Sequence, residues 1–203
     1  FLGANPKSTE PLRLDHEARG IAEKIQSSKH RSSVQLIQRW AVRVDDLHEA
    51  LLQEQPDIVH FSGHGTPEGQ IILEDEDSSP KPIKREAFAD VFRVLKDRVR
   101  VVVLNASHSR AQAEAVARHI DCAVGMNDAM PQSAAIDFAA AFYQAIGFGR
   151  SVQTAFELGV NALKLKRLEG ADVPALFARR GVSPSKVILL EPSPSTDATP
   201  QPQ

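Results

Sequence analysis

One cysteine, Cys122, is present among 203 residues, so no internal disulfide framework can form and a reducing, cytoplasmic setting is expected. Charge of one sign is not in excess either: 24 Lys and Arg face 26 Asp and Glu, a net charge of -2. So weak a field argues against a dedicated nucleic-acid or anionic-membrane surface, which needs clustered basic residues. No apolar run approaches the roughly 18–20 residues of a membrane-spanning helix, and no charged-then-apolar leader opens the chain. Of the seven histidines only His60 and His64 are closely spaced and no second thiol exists to complete a zinc site, so neither a metal nor another cofactor is expected. A phosphate-cradling Gly-rich loop is missing, and so is any repeat at a solenoid period. There is no initiator Met; Phe1-Leu2-Gly3-Ala4 reads as the end of a strand, and the chain is expected to be a fragment.

What is present is an ordinary globular composition, 42% hydrophobic and 25% charged, long enough for one core. The expected division is one domain over residues 1–190 and a disordered tail or linker over 191–203, where four prolines sit among polar residues. β-Branched and apolar runs predict strands at Val34 to Val44, Ile58 to Phe61, Val99 to Leu104, Ala123 to Met126 and Val187 to Leu190. Helical spacing covers Pro11 to Ser28, Asp45 to Gln55, Lys84 to Asp97, Arg110 to His119, Ser133 to Ile146 and Ser151 to Leu168. Asp45 and Ser151 are the expected N-caps, and Gly147 and Gly170 the expected stops. Glu74 to Pro82, with four acids and two prolines, reads as an exposed loop. The uninterrupted Val101-Val102-Val103-Leu104 suits a strand covered on both faces, so the alternation predicts an α/β sandwich with a mostly parallel sheet.

In such sheets functional groups gather beyond the carboxyl ends of the strands. Beyond Phe61 lies Ser62-Gly63-His64-Gly65, and beyond Leu104 lies Asn105-Ala106-Ser107-His108-Ser109. If the two strands are neighbours, their ends stand about 5 Å apart and His64 and Ser107 reach one substrate. A base beside a hydroxyl, with main-chain N–H groups nearby, is the arrangement of nucleophilic catalysis. The N–H groups of Gly65 and Ser107 are the natural oxyanion donors.

These residues resemble a family. His60-Phe61-Ser62-Gly63-His64-Gly65 followed by Val102-Val103-Leu104-Asn105-Ala106-Ser107-His108-Ser109 is similar to the CHAT-type, caspase-like cysteine peptidases of bacteria, which pair a Gly-His-Gly with an Asn-Ala-Cys-x-Ser. Phe1 to Pro6 resembles the end of that family's first strand. Ala123-Val124-Gly125-Met126 and the Ala134 to Ala145 helix resemble its fifth strand and the helix after it. The resemblance implies a caspase-like, three-layer α/β/α sandwich with a six-stranded sheet and a His/Cys dyad that cleaves peptide bonds. Carried over, His64 is the general base, Gly65 an oxyanion donor, and Ser107 stands in the nucleophile's place. It further implies a protein or peptide substrate, an attached or associated regulatory domain, and a part in bacterial defence, including antiviral defence, or cell death.

Serine at position 107 departs from that pattern. A thiol of pKa about 8.5 beside an imidazole of about 6.5 forms an ion pair readily, whereas a hydroxyl needs a base oriented by a third group. No carboxylate for that task is identifiable in the sequence. Ser107 is read as an engineered Cys-to-Ser replacement that inactivates the domain. The alternatives are a natural pseudopeptidase serving as an interaction module and a working serine hydrolase, although the Gly-x-Ser-x-Gly elbow of esterases is absent.

Other residues keep two readings. Asp128 either lines a pocket for a basic substrate residue or caps the following helix, and Ser62 is a turn-former or a site-lining hydroxyl. His60 and His108 read as structural, Asn105 as a loop hydrogen-bonder, and Cys122 as a small buried hydrophobe.

Overall fold

Strand β6, Val101–Asn105, is buried along its whole length because both of its faces are covered. Its side chains alternate: Val101 and Val103 enter one apolar cluster, Val102 and Leu104 the other. The computed structural model describes residues 1–190; the expected tail at 191–203 lies outside them. In chain order the elements are β1 (Leu2–Gly3), α1 (Leu14–Gln26), β2 (Arg39–Trp40), α2 (Val44–Glu54), β3 (Ile58–Ser62), β4 (Ile71–Glu74), β5 (Pro80–Ile83) and α3 (Arg85–Val94). Then follow β6, α4 (Arg110–Val116), β7 (Cys122–Met126), α5 (Gln132–Gly147), α6 (Val152–Leu165) and β8 (Pro174–Ala178).

The main sheet has six strands in the order β2-β1-β3-β6-β7-β8, parallel except for β8 against β7. One face is covered by α1, α5 and α6 through Leu14, Ile21, Phe138, Phe142 and Leu163. The other is covered by α2, α3 and α4 through Leu47, Leu51, Phe88, Phe92 and Val116. The expected three-layer sandwich with a mostly parallel six-stranded sheet is thus present. At a rough 25 cal/mol per Å² of apolar surface removed from water, these two clusters are its main driving force. Among the described residues no helix is long and apolar enough to cross a membrane.

Several local expectations are corrected. Of Val34 to Val44 only Arg39–Trp40 pairs as a strand, because Arg31–Ser33 is a 3-10 turn and Ala41 adopts a left-handed φ of 54°. Val187 to Leu190 is no strand. Val187 follows a 3-10 turn at Pro184–Lys186 and its carbonyl accepts from Val152 N–H at 2.9 Å, so it closes over α6. The sixth strand is instead β8, which begins on a proline and is only half-buried at the sheet edge, where a missing ladder donor is tolerated. Glu74 to Pro82 is not a loop: β4 and β5 form an antiparallel hairpin turning through Ser78 at φ 64°, and buried Glu74 accepts from Asn5 N–H at 3.0 Å. Asp45 lies inside α2, whose cap is Arg43, held by Asp46 accepting the Arg43 N–H at 3.0 Å. Ser151 does cap α6, accepting from Thr154 N–H at 3.3 Å, and α5 does end at Gly147.

Candidate active site

β3 and β6 are neighbours in register, Phe61 opposite Leu104 and Ser62 opposite Asn105. His64 and Ser107 each stand two residues past that last pair. The ladder continues one step further, Gly63 N–H donating to Asn105 carbonyl at 3.3 Å. Beyond it the loops touch: a Cβ built on Gly65 would lie 1.8 Å from the Ser107 carbonyl oxygen, so only glycine fits. The His64 loop is anchored from its far side by β4, through Ile72 N–H to His64 carbonyl at 3.0 Å.

The His64 ring is half-buried, and its Nε2 is buried without a hydrogen-bond partner. Burial holds the imidazole below its ordinary value of 6.5, opposed by a hydrogen bond to the Glu10 backbone and by the Glu10 carboxylate charge. Glu10, from the segment between β1 and α1, is therefore the group beside the ring that the sequence did not disclose. Ser107 lies in the turn between β6 and α4, half-buried. Ser109 holds that turn: fully buried, it donates to Leu104 carbonyl at 2.9 Å and accepts from Met126 N–H at 3.0 Å, joining the ends of β6 and β7.

A cleft of about 60 Å³ opens beside Ser107, between the ends of β3 and β6 and the starts of α1 and α5. Glu17 of α1 reaches into it, 4% exposed, and forms the hub of a polar cluster. Its Oε1 accepts from His60 Nε2 at 2.8 Å and from Asn105 Nδ2 at 2.5 Å, while Ser62 Oγ donates to Oε2. Ser62 is thus a buried lining hydroxyl at the end of β3. His60 is a packed residue, stacked on Phe1 at 5.3 Å and 11°. Asn105 turns inward, with a second bond to Ala135 carbonyl at 3.4 Å.

Asp128 stands apart from this cleft. Its carboxylate is 72% exposed, 3.6 Å from His108 Nδ1, and accepts from the adjacent Ala129 N–H at 2.7 Å. It does not cap α5, whose N-cap is Pro131. His108, at φ 56°, faces Asp128, so its ring belongs to the outer side of the turn. The buried thiol of Cys122 is pushed up to about 12 by burial, the state of an inert packed residue. A larger cavity of about 380 Å³, bounded by Phe1, Ile21, Ile25 and Tyr143, does not include His64 or Ser107 in its lining.

Glu17 escaped the sequence reading, although it shares a helix face with Leu14, Ala18, Ile21 and Ile25, all buried. An acid on an apolar stripe was the available signal. Glu10 carried no such signal, since its proximity to His64 arises from the path of a loop.

The family described as CHAT domain matches residues 3–158. A Roc-COR-CHAT protease of an unknown prokaryotic organism is 26% identical over 175 residues, covering 82% of this chain and 16% of that protein. A probable protease of Gillisia limnaea is 21% identical over 168 residues, covering 81% of this chain and 30% of its own length. The chain thus spans less than a third of each of these relatives. The crystal structure of the Arg-specific cysteine proteinase gingipain R superposes with a TM-score of 0.65 at 10% identity, over 92% of this chain and 46% of that one. The architecture is accordingly caspase-like.

Proposed function

Because this chain belongs to the CHAT domain family, a group related to cysteine proteases, we propose that it is the peptidase domain of a larger protein, built to cleave a protein substrate and inactivated by serine at position 107. The contact between Gly65 and Ser107 carries this reading, because it brings the loop tips bearing an imidazole and the nucleophile's position together. With cysteine at 107, the thiol proton passes to His64 and the thiolate attacks the scissile carbonyl carbon. The N–H groups of Gly65 and residue 107 receive the oxyanion. His64 gives its proton to the departing amine, then takes one from a water that opens the thioester. Glu10 steadies the imidazolium formed on the way. A hydroxyl is a far weaker acid than a thiol and needs a stronger, oriented base for the first transfer, whereas burial lowers the His64 pKa and makes this base weaker.

Regulation by attached domains fits a family whose relatives extend far beyond this length, and we infer a cytoplasmic role in bacterial defence or cell death from the family resemblance. Assaying Ser107→Cys against peptide libraries and a reactive halomethyl ketone tests the proposal. Cleavage and labelling gained with cysteine, and lost again with His64→Ala, are expected. Equal cleavage by the serine form overturns the dyad. A folded cysteine form that neither cleaves nor reacts makes the domain a pseudopeptidase that serves as an interaction module.

A further inference from the structure

A carboxylate is almost never fully buried without a cation beside it. Glu17 is 4% exposed, yet its hydrogen-bond donors, His60, Ser62 and Asn105, include no permanent cation. His60 donates to Glu17 through Nε2, and its Nδ1 is buried with no partner. A carboxylate offers about four lone-pair sites. Oε1 uses two and Oε2 one, which leaves one position on Oε2.

The cleft that Glu17 lines has Leu12, Leu14, Met126, Met130 and Ile136 as its apolar side and Ser62, Asn105 and Gln132 as its polar one, and Ser107 belongs to its lining. At roughly 10–15 Å³ per water it holds only a few waters, a narrow slot that suits an unbranched chain. Arg13, the one basic residue in its lining, is exposed, and its guanidinium is drawn to His16 at 2.9 Å. A slot with an apolar side and a buried carboxylate that keeps one lone-pair position open matches a long stem ending in a positive head.

We propose that this slot receives the substrate side chain preceding the scissile bond and that Glu17 selects lysine or arginine there. The assignment rests on the peptidase reading and gives it a substrate class. It places the acidic determinant on α1 rather than at exposed Asp128.

Two measurements test it. In the Ser107→Cys form, cleavage of peptides differing only at that residue is expected to favour Lys or Arg over norleucine by more than about 30-fold in kcat/KM, the size of effect seen for buried charge pairs. Glu17→Gln brings that ratio close to one. Cleavage with no basic preference, an acidic preference directed by Arg13, or a preference unchanged in folded Glu17→Gln overturns the assignment. The serine chain provides a readout that needs no catalysis and no Glu17 variant. By calorimetry, acetyl-Ala-Ala-Arg-amide is expected to bind at least about tenfold more tightly than its norleucine twin, and equal affinities overturn the assignment. Absence of all cleavage with the binding difference intact would sink the peptidase reading alone.

Discussion

Gly65 and Ser107 meet backbone to backbone: a Cβ on Gly65 would stand 1.8 Å from the Ser107 carbonyl oxygen and 3.4 Å from its nitrogen. The base-bearing loop and the nucleophile's turn are therefore held in one geometry by the absence of a side chain. No rotamer change relieves an overlap with main chain, so any substitution there must displace one of the two loops.

Gly65→Ala is expected to cost about 1–3 kcal/mol of stability, read as a fall of several degrees in the thermal midpoint at roughly 2–4 °C per kcal/mol. In the cysteine form it is expected to lower kcat/KM by about 100-fold or more, as misplacement on the scale of 1 Å does. Gly20→Ala is the control, since its Cβ would meet nothing closer than 3.8 Å and lies inside α1. It should hold or raise the midpoint. Equal behaviour of the two variants would refute the loop contact.

His64 should titrate below the ordinary imidazole value of 6.5, because burial disfavours its charged form. Proton NMR of the serine chain, with the resonance assigned by its loss in His64→Asn, measures the midpoint. Glu10→Gln removes the carboxylate charge that opposes the shift and is expected to move the midpoint lower still. The sign for stability follows. A lowered folded value means that the native state binds this proton less tightly than the unfolded chain. Its contribution is whole above about pH 6.5 and is lost as pH falls through the folded value. An upward move in Glu10→Gln would contradict the placement of Glu10.

Ser109→Ala removes a fully buried hydroxyl that bonds Leu104 carbonyl at 2.9 Å and Met126 N–H at 3.0 Å. Leaving buried main-chain groups unpaired costs about 1–3 kcal/mol. Urea unfolding should show a lower midpoint with an unchanged slope. A midpoint within error of the parent would mean that the ends of β6 and β7 do not depend on this link.

Legibility in the sequence followed local chemistry. β3, β6 and β7 were readable because concentrated Val and Ile have few other uses, and β6, covered on both sides, needed no alternation. β8 was unreadable because an edge strand with half-buried residues, opening on Pro174, has the composition of a loop. The β4–β5 hairpin hid behind its acids and prolines, which tolerate a two-stranded ribbon because each strand is an edge.

The amino-acid order by itself determined a parallel α/β sandwich and the two loop tips of the site, since periodicity sets which faces are buried and the ends of strands set where loops converge. It also determined that residue 107 is a hydroxyl, and so how weak a nucleophile stands there. Only the tertiary structure decided what surrounds those tips. Glu10 beside His64, Glu17 in the cleft and Asp128 turned out toward His108 all depend on how two loops and a helix pack over the sheet. Charged side chains obey no period of their own, and their partners are chosen in space.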